Sequence, residues 1–553
     1  MRYYTENFIK LYENSFRENY ELPALSDYAT DISFTYKELA IEIEKIHFLF
    51  EEHGIRQGDA IALVGKNSAY WVVIFMAAIT YGAVIVPILN DFNSNDIQHI
   101  VNHSDAVLFF ASESILKDLN ESQMPALKTI YSFSGKQIAN REEGKNLSIR
   151  LTNRFNEKYP DGFSREMINY KEFPNENLAV LNYTSGTTGF SKGVLITGDN
   201  LVGNIIYGQI TLPLERGNAM LSLLPLAHAY GCAFEFLFPL STGCHITLLG
   251  KTPSPKILMK AFGEVKPNLI ISVPLILEKI YKNMIVPMIN KPIMKIALKL
   301  PLINTAIYSL VRKKLVQAFG GNFRQVVIGG APLNKEVEEF FLKIHFPVSV
   351  GYGMTECAPL VSFSDFNNYI PLSCGKVLPN LEVRIDSPDP YQTPGEIQIK
   401  GQNVMRGYYK NEEATKDAFT ADGWLKTGDL GTINKDNYIF IRGRSKCMIL
   451  SSSGQNIYPE EIEAKLNNLP YIVESLVISK DKRLIALVYP DYEAAKVAGI
   501  SPDNLKNIMR KNKETLNSMV ASFERIAEIK LYENEFEKTP KKSIKRFLYT
   551  EVD

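Results

Sequence analysis

Cysteine is scarce and unpatterned in this chain: Cys232, Cys244, Cys357, Cys374 and Cys447 are all there is among 553 residues. An odd, scattered set without metal-ligand spacing argues against a disulfide framework or a zinc site and for reduced thiols. Neither charge is in excess, since Lys+Arg and Asp+Glu stand at 61 each. The whole chain therefore lacks the basic footprint of a nucleic-acid binder. No window is long and apolar enough to span a bilayer, and the opening Met1-Arg-Tyr-Tyr-Thr-Glu-Asn7 lacks the apolar core of a signal peptide. Internal repeats and low-complexity linkers are missing too. The expectation is a cytoplasmic protein, and a length of 553 residues is too great for one core.

What is there is an alternation of short apolar runs with helical patterns. Ala60–Val64, Val84–Val86 with a stop at Pro87, and Ala106–Phe110 read as strands, with helices over Ser68–Tyr81 and from Ser94. Residues 113–177 read as surface excursions. The alternation resumes at Met220–Leu224, Ile246–Leu249, Leu269–Val273 and Val326–Ile328. Such a pattern argues for parallel sheets covered on both faces. From Glu382 the texture turns to alternating strands, a small β-rich lobe, and beyond Arg444 to a compact α+β unit with a helix starting at Pro459. The expected class is α/β: a large N-terminal domain, 1–443, with doubly wound sheets and the β-rich lobe, and a small α+β domain, 444–553.

Between two such patterns stands Tyr183-Thr-Ser-Gly-Thr-Thr-Gly-Phe-Ser-Lys-Gly-Val194. Glycines let successive amides turn toward one point, and hydroxyls with one ammonium complete an anion-binding concavity. This reads as a polyphosphate loop. Its lysine is followed by Gly193, not by the Ser or Thr of the P-loop pattern. Further on, Gly329-Gly-Ala-Pro-Leu333 follows a strand end, where open α/β sheets bind ligands. Gly351-Tyr-Gly-Met-Thr-Glu356 offers a ring for a base, a hydroxyl for a phosphate and, in Glu356, a hard oxygen for Mg²⁺. Trp424-Leu-Lys-Thr-Gly-Asp429 presents a carboxylate suited to ribose hydroxyls, and Arg442-Gly-Arg-Ser-Lys446 follows it.

In order and rough spacing these five stretches resemble the adenylate-forming enzymes, the group of acyl-CoA synthetases, luciferases and peptide-synthetase adenylation domains. The likeness runs from about Ser33 to the C-terminus. It implies that Thr184, Ser185, Gly186, Thr187, Thr188, Gly189, Lys192, Gly330, Ala331, Pro332, Gly351, Tyr352, Gly353, Met354, Thr355, Asp429 and Arg444 bind ATP or AMP. It also implies that Lys446 is the hinge of a mobile C-terminal domain. The implied reaction joins a carboxylate to ATP, releases pyrophosphate, then passes the acyl group to a thiol. Pro225-Leu-Ala-His228 matches the segment whose histidine sits beside the carboxylate, so His228, Lys192, Thr355 and a C-terminal lysine form the implied catalytic set.

Two departures stand out. Ser191 takes the place of a usual proline. More important, the family's adenylation lysine lies in Thr-x-x-Gly-Lys-Ile-x-Arg, and this chain has Lys538-Thr-Pro-Lys-Lys-Ser-Ile-Lys-Arg546. In strict register Ser543 holds the lysine's place. Either Lys542 acts from one residue earlier, or Lys541 or Lys545 does, or the first half-reaction is slow and the chain is a weak acyl-adenylate or ATP binder. Small residues after His228, followed by Phe234 and Phe236, leave room for an apolar chain, and no aspartate stands there for a substrate ammonium. Together with the insertion between Met284 and Leu315, this is similar to bacterial long-chain fatty acyl-CoA synthetases. The resemblance implies a fatty acid, ATP with Mg²⁺, and coenzyme A, with acyl carrier protein as the alternative acceptor. Finally, Lys279–Lys335 holds no Asp or Glu among its Ile, Leu and Met residues. Such a segment can lie on the anionic inner face of a membrane; the plainer reading is a surface helix pair with solvated lysines.

Overall fold

The computed structural model describes all residues except 1–2, 29, 135–136, 185–190, 252–253, 451–455, 481–482, 540–542 and 550–553. By contacts the chain forms two compact units, 1–184 with 191–382 and 399–425, and 185–190 with 383–398 and 426–553.

The first unit is built on two seven-stranded sheets. One runs Ile138–Ala139, Thr129–Phe133, Ala106–Ser112, Ala60–Val64, Val84–Ile88, Leu178–Thr184, Lys192–Thr197 in spatial order. Its inner strands are parallel and its last pair is antiparallel. The other runs Val348–Val350, Gln325–Ile328, Leu269–Ser272, Ala219–Ser222, His245–Leu248, Pro23–Asp27, Ser33–Thr35, parallel except for the final pair. Helix Ala69–Tyr81 is apolar on every side because it is buried on every side. The Ser68 hydroxyl caps it by accepting from the Trp71 amide, and Gly82 ends it at φ 84°. Its Trp71 and Phe75 meet Phe236 edge-on, with the Phe75 and Phe236 ring centroids 5.2 Å apart. Each such buried side chain stabilises the fold by about 1.5–3 kcal/mol.

Two sequence expectations need correction. Pro87 does not stop its strand, which runs Val84–Ile88 with Pro87 opposite Leu63. On the other side pairing is confined to Ile85 and Val180, which leaves a position where a missing N–H costs little. Residues 113–177 are not all surface either. Thr129–Phe133 is a parallel strand beside Ala106–Ser112, and helix Asn146–Lys158 buries Leu147, Leu151 and Phe155.

The second unit contains most of a four-stranded sheet, Leu381–Asp386, Gly395–Gly401, Leu425–Ile433 and Ile439–Arg444. It also contains a three-stranded sheet in which Arg483–Pro490 lies between antiparallel Ile472–Lys480 and parallel Ile526–Leu531. Helices Pro459–Leu466 and Pro502–Met519 cover that sheet through Ile462, Leu466, Leu505 and Leu516. The helix start at Pro459 falls where the sequence places it.

Candidate active site

The polyphosphate stretch is flanked by two paired strands. Strands Leu178–Thr184 and Lys192–Thr197 pair antiparallel, with Thr184 opposite Lys192 and Tyr183 opposite Gly193. Ser185, Gly186, Thr187, Thr188 and Gly189 lie outside the described residues, and the structure describes the strands on either side of them. Gly193 has no side chain for a packing reason, since a Cβ there would lie 3.0 Å from Leu181 and 3.1 Å from the Tyr183 ring. On the open edge of Lys192–Thr197, residues 405–409 add a further rung. The Leu195 amide donates to Gly407 O at 2.9 Å and the Tyr409 amide to Gly193 O at 2.8 Å.

That rung delivers a residue the sequence reading missed. Tyr408 places its ring 4.9 Å from the Lys192 ammonium and donates its hydroxyl to Glu356 Oε1 at 3.0 Å. The Glu356 carbonyl in turn accepts from the Met405 amide at 2.8 Å. The predicted phosphate lysine and the predicted metal carboxylate thus meet at one tyrosine, the first over its ring and the second at its hydroxyl. A cation over an aromatic ring gains about 0.5–2 kcal/mol. Burial, then the Glu356 charge, pushes the Tyr408 phenol far up, so it stays a donor. Beside these strands, His103 Nδ1 lies 2.7 Å from the Tyr183 hydroxyl, and Asp105 accepts from Tyr409 and pairs with Lys410, both at 2.7 Å.

The second sheet supplies the next two stretches from neighbouring strand ends. Ile328 pairs with Val350, and the Gly351 amide donates to Ile328 O at 2.8 Å. The two glycines of the Gly329-Gly330 turn differ in use. A Cβ on Gly329 would come within 2.8 Å of the Tyr230 ring, so that face is taken by the protein's own tyrosine. Gly330, at φ 84° with only Val273 near at 3.8 Å, is the one with an open face for a planar base. Ala331 and Pro332 beside it are exposed. Tyr352 is buried in its strand opposite Ser362, and Gly353 next to it has no room for a Cβ, which would sit 2.3 Å from Pro359 O. Met354 donates its amide to that same carbonyl, and Thr355 is buried at the start of a tight turn.

The His228 turn is tied to both sheets, through Asn182 to the first and through Tyr230 to the second. His228 Nδ1 accepts from the Tyr230 amide at 3.2 Å, capping a one-turn helix. The neutral ring therefore carries its proton on Nε2. The turn before it is tied down from three sides. Asn67 donates to Leu224 O at 2.6 Å and accepts from the Leu226 amide at 3.0 Å. Asn182, on the strand leading into the polyphosphate stretch, donates to Ala227 O at 3.1 Å. Glu235 is wholly buried and accepts from the Leu224 amide at 2.8 Å, the Leu223 amide at 3.0 Å and the Ser222 hydroxyl at 3.1 Å. Burial pushes the Glu235 carboxyl up to about 8 against those donors. Glu235 falls in the widened π turn Cys232–Leu237, which follows directly on the His228 helix. Tyr230 completes the linkage by donating its hydroxyl to Val327 O at 3.1 Å.

In the second unit Asp429 and Arg444 face each other across an antiparallel pair, and Arg444 Nε lies 3.2 Å from Asp429 Oδ1. Asp429 is buried while its partner is mostly exposed, so the carboxylate is held in place with its charge balanced. Lys446 lies in the short turn Ser445–Cys447 that follows. Near the C-terminus Thr539 and Ser543 exchange contacts, the Thr539 amide donating to Ser543 O at 2.8 Å. Lys541 and Lys542 lie outside the described residues. Lys538 is paired with Glu474 at 2.9 Å and Glu535 at 3.1 Å, Lys545 with Glu537 at 3.4 Å, and Arg546 with the buried Glu463. Among the described residues no three His, Cys, Asp or Glu side chains gather into a metal cage. One half-buried carboxylate, Glu356, braced by Tyr408, does suit Mg²⁺, which takes one or two carboxylates and fills its shell with phosphate oxygens and water.

The chain has known relatives in sequence and in fold. Residues 12–409 match the AMP-binding enzyme family and residues 446–551 match the AMP-binding enzyme C-terminal domain. A long-chain-fatty-acid–CoA ligase of Mycobacterium bovis is 31% identical over 487 residues, covering 82% of this chain and 78% of its own. Long chain acyl-CoA synthetase 5 of Arabidopsis thaliana is 27% identical over 500 residues, covering 82% and 73%. Among solved structures, ATP-bound MatB from Rhodopseudomonas palustris superposes with a TM-score of 0.77 at 22% identity, covering 99% of each chain. The chain belongs to the AMP-binding family of adenylate-forming enzymes.

Proposed function

We propose that the protein is an acid–thiol ligase that activates a long-chain fatty acid with ATP and passes the acyl group to coenzyme A. The observation that carries this reading is the Lys192–Tyr408–Glu356 group beside the polyphosphate stretch, with the His228 turn tied through Asn182 to the strand that leads into that stretch. The first step needs the triphosphate neutralised and a carboxylate oxygen in line with the α-phosphorus. Lys192 and the amides of that stretch supply charge on the pyrophosphate side. His228, donating from Nε2, holds the acid's carboxylate, and Thr355 contacts the α-phosphate. Glu356 would hold Mg²⁺, which when bound balances charge on the phosphates. A carboxylate oxygen then forms its bond to the α-phosphorus as the bond to pyrophosphate breaks. In the second step a thiolate adds to the acyl carbon and AMP leaves. Positioning and fixed charge do this work without a covalent enzyme intermediate.

Small buried residues after His228 (Ala229, Gly231, Cys232, Ala233) support a long apolar acid, as do relatives named for such acids. We place the hinge of a mobile domain 444–553 at Lys446, Asp429 and Arg444 on the ribose, and the adenylation ammonium on Lys542. Ion pairing of Lys545 with Glu537 speaks against Lys545 there, and Lys541 is the alternative to be tested beside Lys542. On this reading the enzyme works in the cytoplasm, with acyl carrier protein as the other acceptor to be tested. A second reading rests on Ser543: a protein that binds ATP and acyl-adenylate and turns over weakly. Acid-dependent ATP–pyrophosphate exchange across acids of graded length separates the two. Exchange that peaks with long acids supports the ligase; tight ATP binding with no exchange for any acid rejects it.

A further inference from the structure

The surface with the least conventional chemistry is the helical excursion from Pro274 to Ala318. Its two roots are packed: Leu277, Tyr281, Ile285, Val311 and Leu315 join the core beneath the second sheet. Its middle is not. Ile293 is 83% exposed, Ile296 67%, Leu302 89% and Leu310 61%, with Leu300 and Ile303 also exposed. Helix Pro301–Ala318 buries only Val311 and Leu315; Ile307 and Tyr308 pack partly against the core, while Leu302, Ile303 and Leu310 turn their apolar side chains outward. A helix of a soluble protein normally turns its apolar side inward.

Charge identifies the kind of partner. Lys291, Lys295 and Lys299 alternate with the exposed apolar residues, Arg312, Lys313 and Lys314 follow, and all six are exposed. No Asp or Glu occurs between Glu278 and Glu336. A second copy of this chain laid on the same face would bring lysine against lysine with no carboxylate between them. Phospholipid headgroups offer the complement, anionic oxygens above an apolar layer, and long lysine stems reach the one while isoleucine and leucine enter the other. No described helix is long and apolar enough to cross a bilayer, so the fit is to a surface.

We propose that residues 291–310 dock in the interfacial layer of an anionic bilayer and bring the enzyme to its acid where that acid is dissolved. The surface is argued independently, and only the delivery of substrate rests on the fatty-acid reading above. The test is co-sedimentation of the full chain with phosphatidylcholine vesicles and with vesicles also containing phosphatidylglycerol, at low and high salt. Two variants accompany it, I293S/I296S/L302S and K291Q/K295Q/K299Q, all at exposed positions. The expected result is binding to the anionic vesicles alone, weakened by salt. The lysine variant should bind on the order of a hundredfold more weakly, and the apolar variant should also lose binding. Both variants should keep wild-type ATP–pyrophosphate exchange with a short, water-soluble acid, while exchange with a vesicle-borne long acid falls. Equal binding of wild type and variants, or none by wild type, overturns the proposal. So does a wild-type dimer in sedimentation that the apolar variant converts to monomer. Vesicle binding without exchange on any long acid would leave the surface standing and remove the substrate reading, so the two failures are distinguishable.

Discussion

The corner around Lys192 and the C-terminal stretch around Ser543 are built in opposite ways. At the first, each chemistry-bearing side chain is held by another group: Lys192 and Glu356 by Tyr408, and the His228 turn by Asn67, Asn182 and Glu235. At the second, the described cations are held by carboxylates of their own unit, Lys538 by Glu474 and Glu535, Lys545 by Glu537, Arg546 by Glu463. The family's lysine position carries a hydroxyl. The difference teaches that on the proposed reading the phosphate end is braced by neighbouring side chains, while the remaining ammonium has to come from a lysine other than the family's usual one.

The comparison can be broken most severely at the braced corner. Lys192→Ala should lower acyl-adenylate formation about a hundredfold to a thousandfold in single-turnover assays, the size of loss seen when a fixed electrostatic partner is removed. Ser543→Lys tests the other end in the opposite direction. Restoring the family residue should raise the adenylation rate about tenfold, and Lys542→Ala should lower it by a similar factor. A silent Lys542→Ala variant would remove that lysine from the mechanism. Tyr408→Phe keeps the ring near Lys192 but deletes the hydrogen bond to Glu356, a loss of about 1.5–3 kcal/mol for a bond to a charged group. It should show mainly as a raised Mg²⁺ requirement for exchange.

Glu235 gives a smaller effect, read as stability. Its carboxyl sits at about 8 in the fold against 4.5 ordinarily, so the native state holds a proton that the unfolded chain releases. Between those values stability falls as pH rises, by about 1.4 kcal/mol per unit, and it levels off above the upper one. Glu235→Gln should flatten that slope in denaturant titrations between mildly acidic and mildly alkaline pH. Lys545→Gln should do least, under about 1 kcal/mol of stability and no change in exchange, because an exposed ion pair contributes little.

Much of this was legible in the residues. The alternation of apolar runs set the two wound sheets, because strands buried on both faces must be apolar throughout. The glycine stretches marked where backbones turn sharply or pack closely, as Gly330 and Gly353 do. What stayed hidden were partners far apart in the chain. Tyr408 lies 52 residues from Glu356 and reaches it only because residues 405–409 run along the edge of Lys192–Thr197. Gly329 carried a glycine signal whose cause is Tyr230, not a ligand. Glu235 did leave a trace, a lone carboxylate in the apolar run Cys232–Leu240, and such a residue must find donors indoors. Thr129–Phe133 was missed because its neighbours in sequence are polar while its neighbours in space are not.

The most direct test of the central claim is pyrophosphate exchange into ATP by wild type and by Lys192→Ala, with and without a long-chain fatty acid. Exchange that needs the acid and collapses in the variant, while the variant stays folded, is the predicted result. Exchange that ignores either the acid or Lys192 would contradict it.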